Sequence, residues 1–381
     1  ERLRNLGYFE DVGYDIEDTD IADQKDLVVQ VKEAKTGTFS FGGGYSTVDK
    51  LVGFAEVEQK NFDFANWPSF TGGGQDLKLR GQLGSTQQQA ILSFTEPWVF
   101  DYPVSAGFDG FLTNTKKDSS NGYAYDEKRI GADVRLGKSF NDNLSLGSYY
   151  KLEQIKIGNM DSNVAPDLAA EEGTNLVSST GLSLTHDYRD NPLNPTKGWL
   201  WVNSADLAGG FLGGDKDFYR FQTVGEYYLP LKFSETLTVL KFGGKTGLIK
   251  AYGSSQSVPI FERYFAGGER SIRGYDERKV GPIDDPSQDA IGGETTILGT
   301  VEYTVPIIDI IKGAAFFDTG NVWSKAKDYG NGGLKSGFGP GLRIKTPIGP
   351  INLDYGFPLN KQSDGTNKKG GKFYFSVSRG F

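Results

Sequence analysis

From about Thr36 to its end the chain alternates polar and apolar residues one by one, in segments that mostly run 9–13 residues. Near Arg129 one set reads Arg129, Gly131, Asp133, Arg135, Gly137 and the interleaved set Ile130, Ala132, Val134, Leu136. The stretch 76–83 sets Asp76, Lys78, Arg80 and Gln82 against Leu77, Leu79, Gly81 and Leu83. Successive side chains point to opposite faces of a β-strand, whereas a helix repeats every 3.6 residues and would scramble this pattern. Sixteen such segments follow one another, from 36–46 to 373–381. The count is even, and the segments are about the length that crosses a bilayer at a tilt.

The connections also alternate. Short ones such as Phe140–Asn143 and Pro347–Pro350 fall at one end, and long ones such as Gly158–Thr174 and 251–293 at the other. Short periplasmic turns, long outer loops and aromatic girdles describe a transmembrane barrel of the bacterial outer membrane. Aromatics cluster near strand ends at Trp98, Phe100 and Tyr102, at Trp199 and Trp201, and at Phe373, Tyr374 and Phe375. The expected fold is therefore all-β, a sixteen-stranded antiparallel transmembrane barrel over residues 36–381. A soluble sandwich or propeller also alternates, but no repeat of 40–50 residues is visible to support a propeller.

Composition narrows the chemistry. With no Cys there is no disulfide scaffold, thiol nucleophile or thiolate metal site, and a single His cannot form a His-pair zinc site. The net charge of −8 opposes non-specific binding of nucleic acid. A mean hydropathy below zero resembles a soluble protein, but the polar half of an alternating barrel produces the same average. His186 and Asp187 have no nucleophile motif near them, and Asp284, Asp285 and Asp289 do not have the spacing of an EF-hand loop. The glycines of 337–341 lack the Lys-Ser/Thr ending of a phosphate loop. No metal, cofactor or covalent catalysis is expected, and the chain does not read as an enzyme.

The first 35 residues differ. Glu1–Gly7 reads as the end of a helix capped by Gly7, followed by strands at Tyr8–Asp18 and Lys25–Lys35. Such a piece is too small to bury a core of its own. It is expected to be the C-terminal remnant of a soluble module belonging to a longer protein.

Three stretches carry a family resemblance. Phe261–Pro282 resembles the sixth outer loop of the barrel-assembly superfamily of outer-membrane proteins, with the loop signature at Ile272, Arg273, Gly274 and Tyr275. Leu3–Val12 looks like the end of a POTRA domain, the periplasmic polypeptide-binding module of that superfamily, and Phe373–Phe381 is similar to the C-terminal signal of outer-membrane barrels. Phe94–Trp98 and Asp187–Gly198 are lesser matches. One feature departs from the family: assembly members carry a glycine three residues before the last, where this chain has Ser378, with Gly380 penultimate.

The resemblance implies an outer-membrane factor that folds and inserts other β-barrels through a lateral gate between first and last strands. Its implied partners are client barrels, accessory assembly lipoproteins and membrane lipids. Polypeptide secretion or translocation-assembly within the same superfamily, and a general porin, are the competing readings.

Two sites follow. Arg273 sits in a loop of about 40 residues, and strand phase turns Glu302 and Asp318 toward the lumen. A buried guanidinium needs such carboxylates. The alternative is a solvated Arg273 beside carboxylates that merely make the bore polar. The resemblance implies the pairing, with the loop tucked inside. The second site is the seam. Phe39, Phe41, Gly42, Gly43 and Gly44 lie in the first strand, and Phe373, Phe375, Val377, Ser378, Gly380 and Phe381 in the last. Glycines weaken ladder packing. Read alone they fit relief of crowding as well; the resemblance implies the gate, with Phe381 closing the strand's own assembly signal.

Overall fold

A computed structural model describes residues 8–18, 24–46, 50–118, 122–192, 194–233, 236–285, 287–346, 349–363, 365 and 370–377. The expected helix end at Glu1–Gly7, and Ser378, Gly380 and Phe381, lie outside the described residues. Strands β1 (Phe9–Asp18) and β2 (Lys25–Glu33) form a separate antiparallel hairpin. It touches the barrel where the Tyr8 hydroxyl donates to the Gly74 carbonyl at 3.0 Å.

The other sixteen strands form one sheet in sequence order. They are β3 (Gly37–Ser46), β4 (Lys50–Phe62), β5 (Thr71–Gly84), β6 (Gln87–Glu96), β7 (Val104–Thr115), β8 (Asp126–Ser139), β9 (Leu144–Gly158) and β10 (Gly173–Asp187). Then come β11 (Gly198–Ala208), β12 (Phe218–Phe233), β13 (Thr236–Ala251), β14 (Thr295–Ile308), β15 (Ile311–Trp323), β16 (Lys335–Thr346), β17 (Gly349–Pro358) and β18 (Lys372–Val377). The long loop runs 252–294, the expected span shifted by one residue toward the C-terminus.

The alternation works as the period of two requires. Along β8, Ile130, Val134 and Leu136 are exposed on the outer wall, while Arg129, Asp133 and Arg135 turn inward. Such an outer face is stable only against lipid, since exposed apolar area on this scale is not tolerated in water. Inward charges pair with each other, as in Lys78–Glu58 at 3.1 Å and Lys241–Glu226 at 2.7 Å.

Near the loop end the inner wall becomes apolar. On β9 the inward residues Ile155 and Ile157 are buried, and Gln154 and Lys156 point out. With Val177, Ile249, Ile260, Ile272, Tyr275 and Val280 they form the protein's hydrophobic core. That core lies inside the mouth, between barrel wall and long loop, rather than within a sheet sandwich.

Fifteen neighbouring strand pairs share hydrogen-bonded ladders. Among the described residues β3 and β18 share none, so the cylinder is nearly closed. They lie side by side, with the Tyr45 and Phe375 rings 6.2 Å apart. Local openings follow unpaired backbone. In lipid, amides of β3 and β18 are expected to exchange hydrogen at least about tenfold faster than those of β12 and β13. Equal protection all round the barrel would contradict an open seam.

Candidate functional site

Strand phase and cross-strand register bring three carboxylates to one place. Glu302 and Thr300 face inward from β14, and Asp318 lies directly opposite Thr300 on β15. Asp354 comes from β17, opposite Gly341 of β16. Arg273 descends into this cluster from the long loop. Its Nε and Nη2 grip both oxygens of Asp318 at 2.7 and 2.9 Å, and its backbone N–H donates to the same carboxylate at 3.1 Å. Nη1 reaches Glu302 at 3.0 Å and Asp354 at 3.2 Å. The guanidinium stacks 3.5 Å from the Phe316 ring centroid. Arg343 bridges from below, 2.7 Å from Glu302 and 2.7 Å from Asp354. Three carboxylates against two guanidiniums leave one net negative charge, a setting that favours a fixed cation.

The structure thus brings Arg273, Glu302 and Asp318 together. Asp354 and Arg343 are members that the sequence reading did not single out. It also set aside Gly337, Gly339 and Gly341, whose role is space. A Cβ on Gly337 would collide with the Arg273 carbonyl, and one on Gly356 would lie 2.5 Å from the Gly274 nitrogen. Gly274 itself has φ +103° and packs against the backbone of Phe357 and Pro358. The spacing of three glycines on one strand face was the available signal for a close backbone approach. Ile272 and Tyr275 are fully buried beside Arg273.

A second anchor was not foreseen. Glu262, at the start of the loop, lies between Arg129 of β8 at 3.1 Å and Arg220 of β12 at 2.5 Å. Arg129 also donates to the Phe261 carbonyl at 3.0 Å. Burial alone would raise the Glu262 pKa, but the two guanidiniums outweigh it and hold the carboxyl below its ordinary range. The loop is therefore tied to opposite walls, at Glu262 and at Arg273.

Among the set-aside groups, His186 stacks on Trp199 and Asp187 pairs with Arg189 at 2.7 Å. Asp289 accepts from the Ala165 N–H at 3.0 Å. No cluster of potential metal ligands occurs among the described residues.

At the seam, Phe39 and Phe41 are exposed on the outer wall, their rings 5.9 Å apart. Gly42, Gly43 and Gly44 pair with Phe54, Gly53 and Val52 of β4. A Cβ on Gly42 would lie 2.9 Å from the Phe54 ring, so Gly42 does relieve crowding. On β18, Phe373 and Phe375 share the outward phase, and Val377 ladders with Ile351.

A nearly closed membrane barrel, stoppered by its own ion-paired outer loop and, among the described residues, unladdered at one junction, is the class that fold and site define. The chain belongs to the Omp85 superfamily, whose domain matches residues 69–381. It is 31% identical over 385 residues to the outer membrane protein assembly factor BamA of Nitratidesulfovibrio vulgaris, covering 100% of this chain and 46% of that protein. The BamA of Neorickettsia risticii is 30% identical, with 93% of this chain and 46% of that protein covered. The chain thus spans about half the length of these relatives. The crystal structure of Haemophilus ducreyi BamA lacking POTRA domains 1–3 shares the fold. Its TM-score is 0.80 at 24% identity, over 99% of this chain and 76% of that one. The barrel is an outer-membrane protein.

Removing one partner of a buried pair typically costs about 3–5 kcal/mol. Arg273→Ala and Glu302→Gln are each expected to lower barrel stability by about that much in urea titrations from lipid vesicles. Their double mutant should show coupling of about 1–3 kcal/mol; additive effects would dissolve the proposed lock.

Glu277, also in the loop, has a buried Oε2 with no hydrogen-bond partner among the described residues. Burial pushes its carboxyl up to about 7, against the pull of Arg278, Arg270 and Lys372 and with a small push from Glu269. A carboxyl raised on folding stabilises the docked loop fully below pH 4.5, its unperturbed value, and loses that contribution as pH rises through about 7. Loop amides around residue 277 should therefore exchange faster at pH 8 than at pH 5 after correction for intrinsic rates, and Glu277→Gln should abolish the difference. The same pH dependence in the variant would refute this assignment.

Proposed function

We propose that this chain is the barrel part of an outer-membrane assembly factor that folds and inserts client β-barrels through the junction of β3 and β18. The single observation that carries the reading is that, among the described residues, no ladder joins β3 and β18, in a sheet whose other neighbours are all paired. Unpaired N–H and C=O groups template another strand, and an incoming strand adds to such an edge by main-chain hydrogen bonds. The wall is also short there, with ten residues in β3 against sixteen in each of β12 and β13. A shorter wall thins and disturbs the adjoining bilayer. Likeness to two BamA proteins along nearly the whole chain supports the same reading.

The work is non-covalent. Strand templating and membrane perturbation lower the barrier to insertion, with no cofactor, metal or nucleotide and no bond made or broken. Arg273, Glu302 and Asp318, joined by Asp354 and Arg343, hold the loop so that the bore does not leak. The plugged mouth speaks against a general diffusion porin. Residues 1–35 are the remnant of the last periplasmic POTRA domain, and its described part is the β1–β2 hairpin. Client barrels meet the seam, accessory lipoproteins meet the periplasmic modules, and lipids meet the outer wall.

These 381 residues contain no Cys, so a cysteine pair introduced at Gly43 and Ser376 is the sole thiol pair within them. Joined by a short cleavable crosslinker in the full-length protein, it should reduce insertion of an unfolded client barrel into liposomes to the protein-free rate. Cleaving the link should restore it. Undiminished insertion with the link intact would overturn the seam reading.

A further inference from the structure

Among the described residues the last strand has a hydrogen-bonded neighbour on one edge only. β18 ladders with β17 from Lys372 opposite Gly356 to Val377 opposite Ile351, and its other edge faces the seam. Its inward side chains do what the missing ladder does not. Tyr374 is 2% exposed. Its hydroxyl accepts a hydrogen bond from the Gly274 N–H at 2.9 Å and donates one to the Tyr275 carbonyl at 2.6 Å. Two positions before, Lys372 pairs with Asp276 at 2.7 Å, while Gln362 donates to the other oxygen of Asp276 at 3.2 Å. Gly274, Tyr275 and Asp276 directly follow the lock arginine.

We propose that Tyr374 is a positioning residue that couples the loop lock to the seam strand. With Arg273 seated among its carboxylates, the next three residues hold the inner face of β18. When Arg273 leaves, that grip leaves with it. The phenol uses its donor and an acceptor on the same short backbone segment, a reciprocal clasp that no hydroxyl-free ring can reproduce. It is reached because Gly356, beneath the loop, has no side chain to hold Gly274 away. Any effect on client insertion rests on the seam reading above; the clasp does not.

The test is amide hydrogen exchange of Lys372–Ser376 in the full-length protein in nanodiscs, with client insertion measured in parallel. Tyr374→Phe strands a buried N–H and a buried C=O, and should speed exchange of these amides about tenfold while leaving β12 and β13 unchanged. Arg273→Ala should do the same, and the double variant should add little to either change alone. Unchanged β18 exchange in Tyr374→Phe, or effects that simply add, overturns the coupling. Should Tyr374→Phe fail to fold, Asp276→Asn carries the test, because it weakens the contacts of Lys372 and Gln362 with the loop. β18 exchange as in the parent then overturns the proposal, and faster exchange supports it. Faster β18 exchange with unaltered client insertion leaves the clasp standing and overturns the seam reading instead.

Discussion

A single guanidinium buried among three carboxylates organises this molecule. Arg273 is expensive to place where it is, because each charge must be stripped of water. What makes it tolerable is completeness: a bidentate grip on Asp318, further contacts with Glu302 and Asp354, and an aromatic face beneath. Such an arrangement is a poor source of net stability and a good source of registry, since no other loop position satisfies the same charges. The glycines of β16 and β17 are there to let the loop backbone come close enough.

The second anchor gives the loop its path. Glu262 binds the wall at β8 and β12, and Arg273 binds it at β14, β15 and β17. Between them the loop packs an apolar core against the mouth of the barrel. Cohesion is thus concentrated in the bore and on the hydrogen-bonded ladders. Among the described residues the junction of β3 and β18 has side-chain contacts such as Tyr45–Phe375 in place of a ladder. A strand edge in lipid without a partner is costly, and barrels normally remove edges altogether. Among the described residues, the β3–β18 junction is the exception to that rule in this wall.

Much of this was legible in the sequence because the period of two is a local property. The phases of β14 and β15 alone placed Glu302 and Asp318 inward, and the segment count gave the strand number. What could not be read was which inward residues meet. Asp354 joins Arg273 only through the stagger of β14 to β17, and Glu262 finds Arg129 and Arg220 across the bore from segments 133 and 42 residues away. The inward apolar residues Ile155 and Ile157 were equally hidden. Their phase means lumen near the membrane midplane and core near the mouth, and only the presence of the loop distinguishes the two. At the seam, Gly42 has a packing reason of its own, so composition alone could not separate crowding from gating.

The loop's stems are short. The Ile249 N–H donates to the Glu294 carbonyl at 2.7 Å, and Tyr264 and Gly293 exchange two hydrogen bonds at 2.9 and 3.0 Å. The stopper is therefore leashed to the rim it closes. It can tilt or lift within the reach of its own stalk, but it cannot be shed, and every excursion ends with the same arginine above the same acids. A plug leashed this way begins any re-docking already beside its seat.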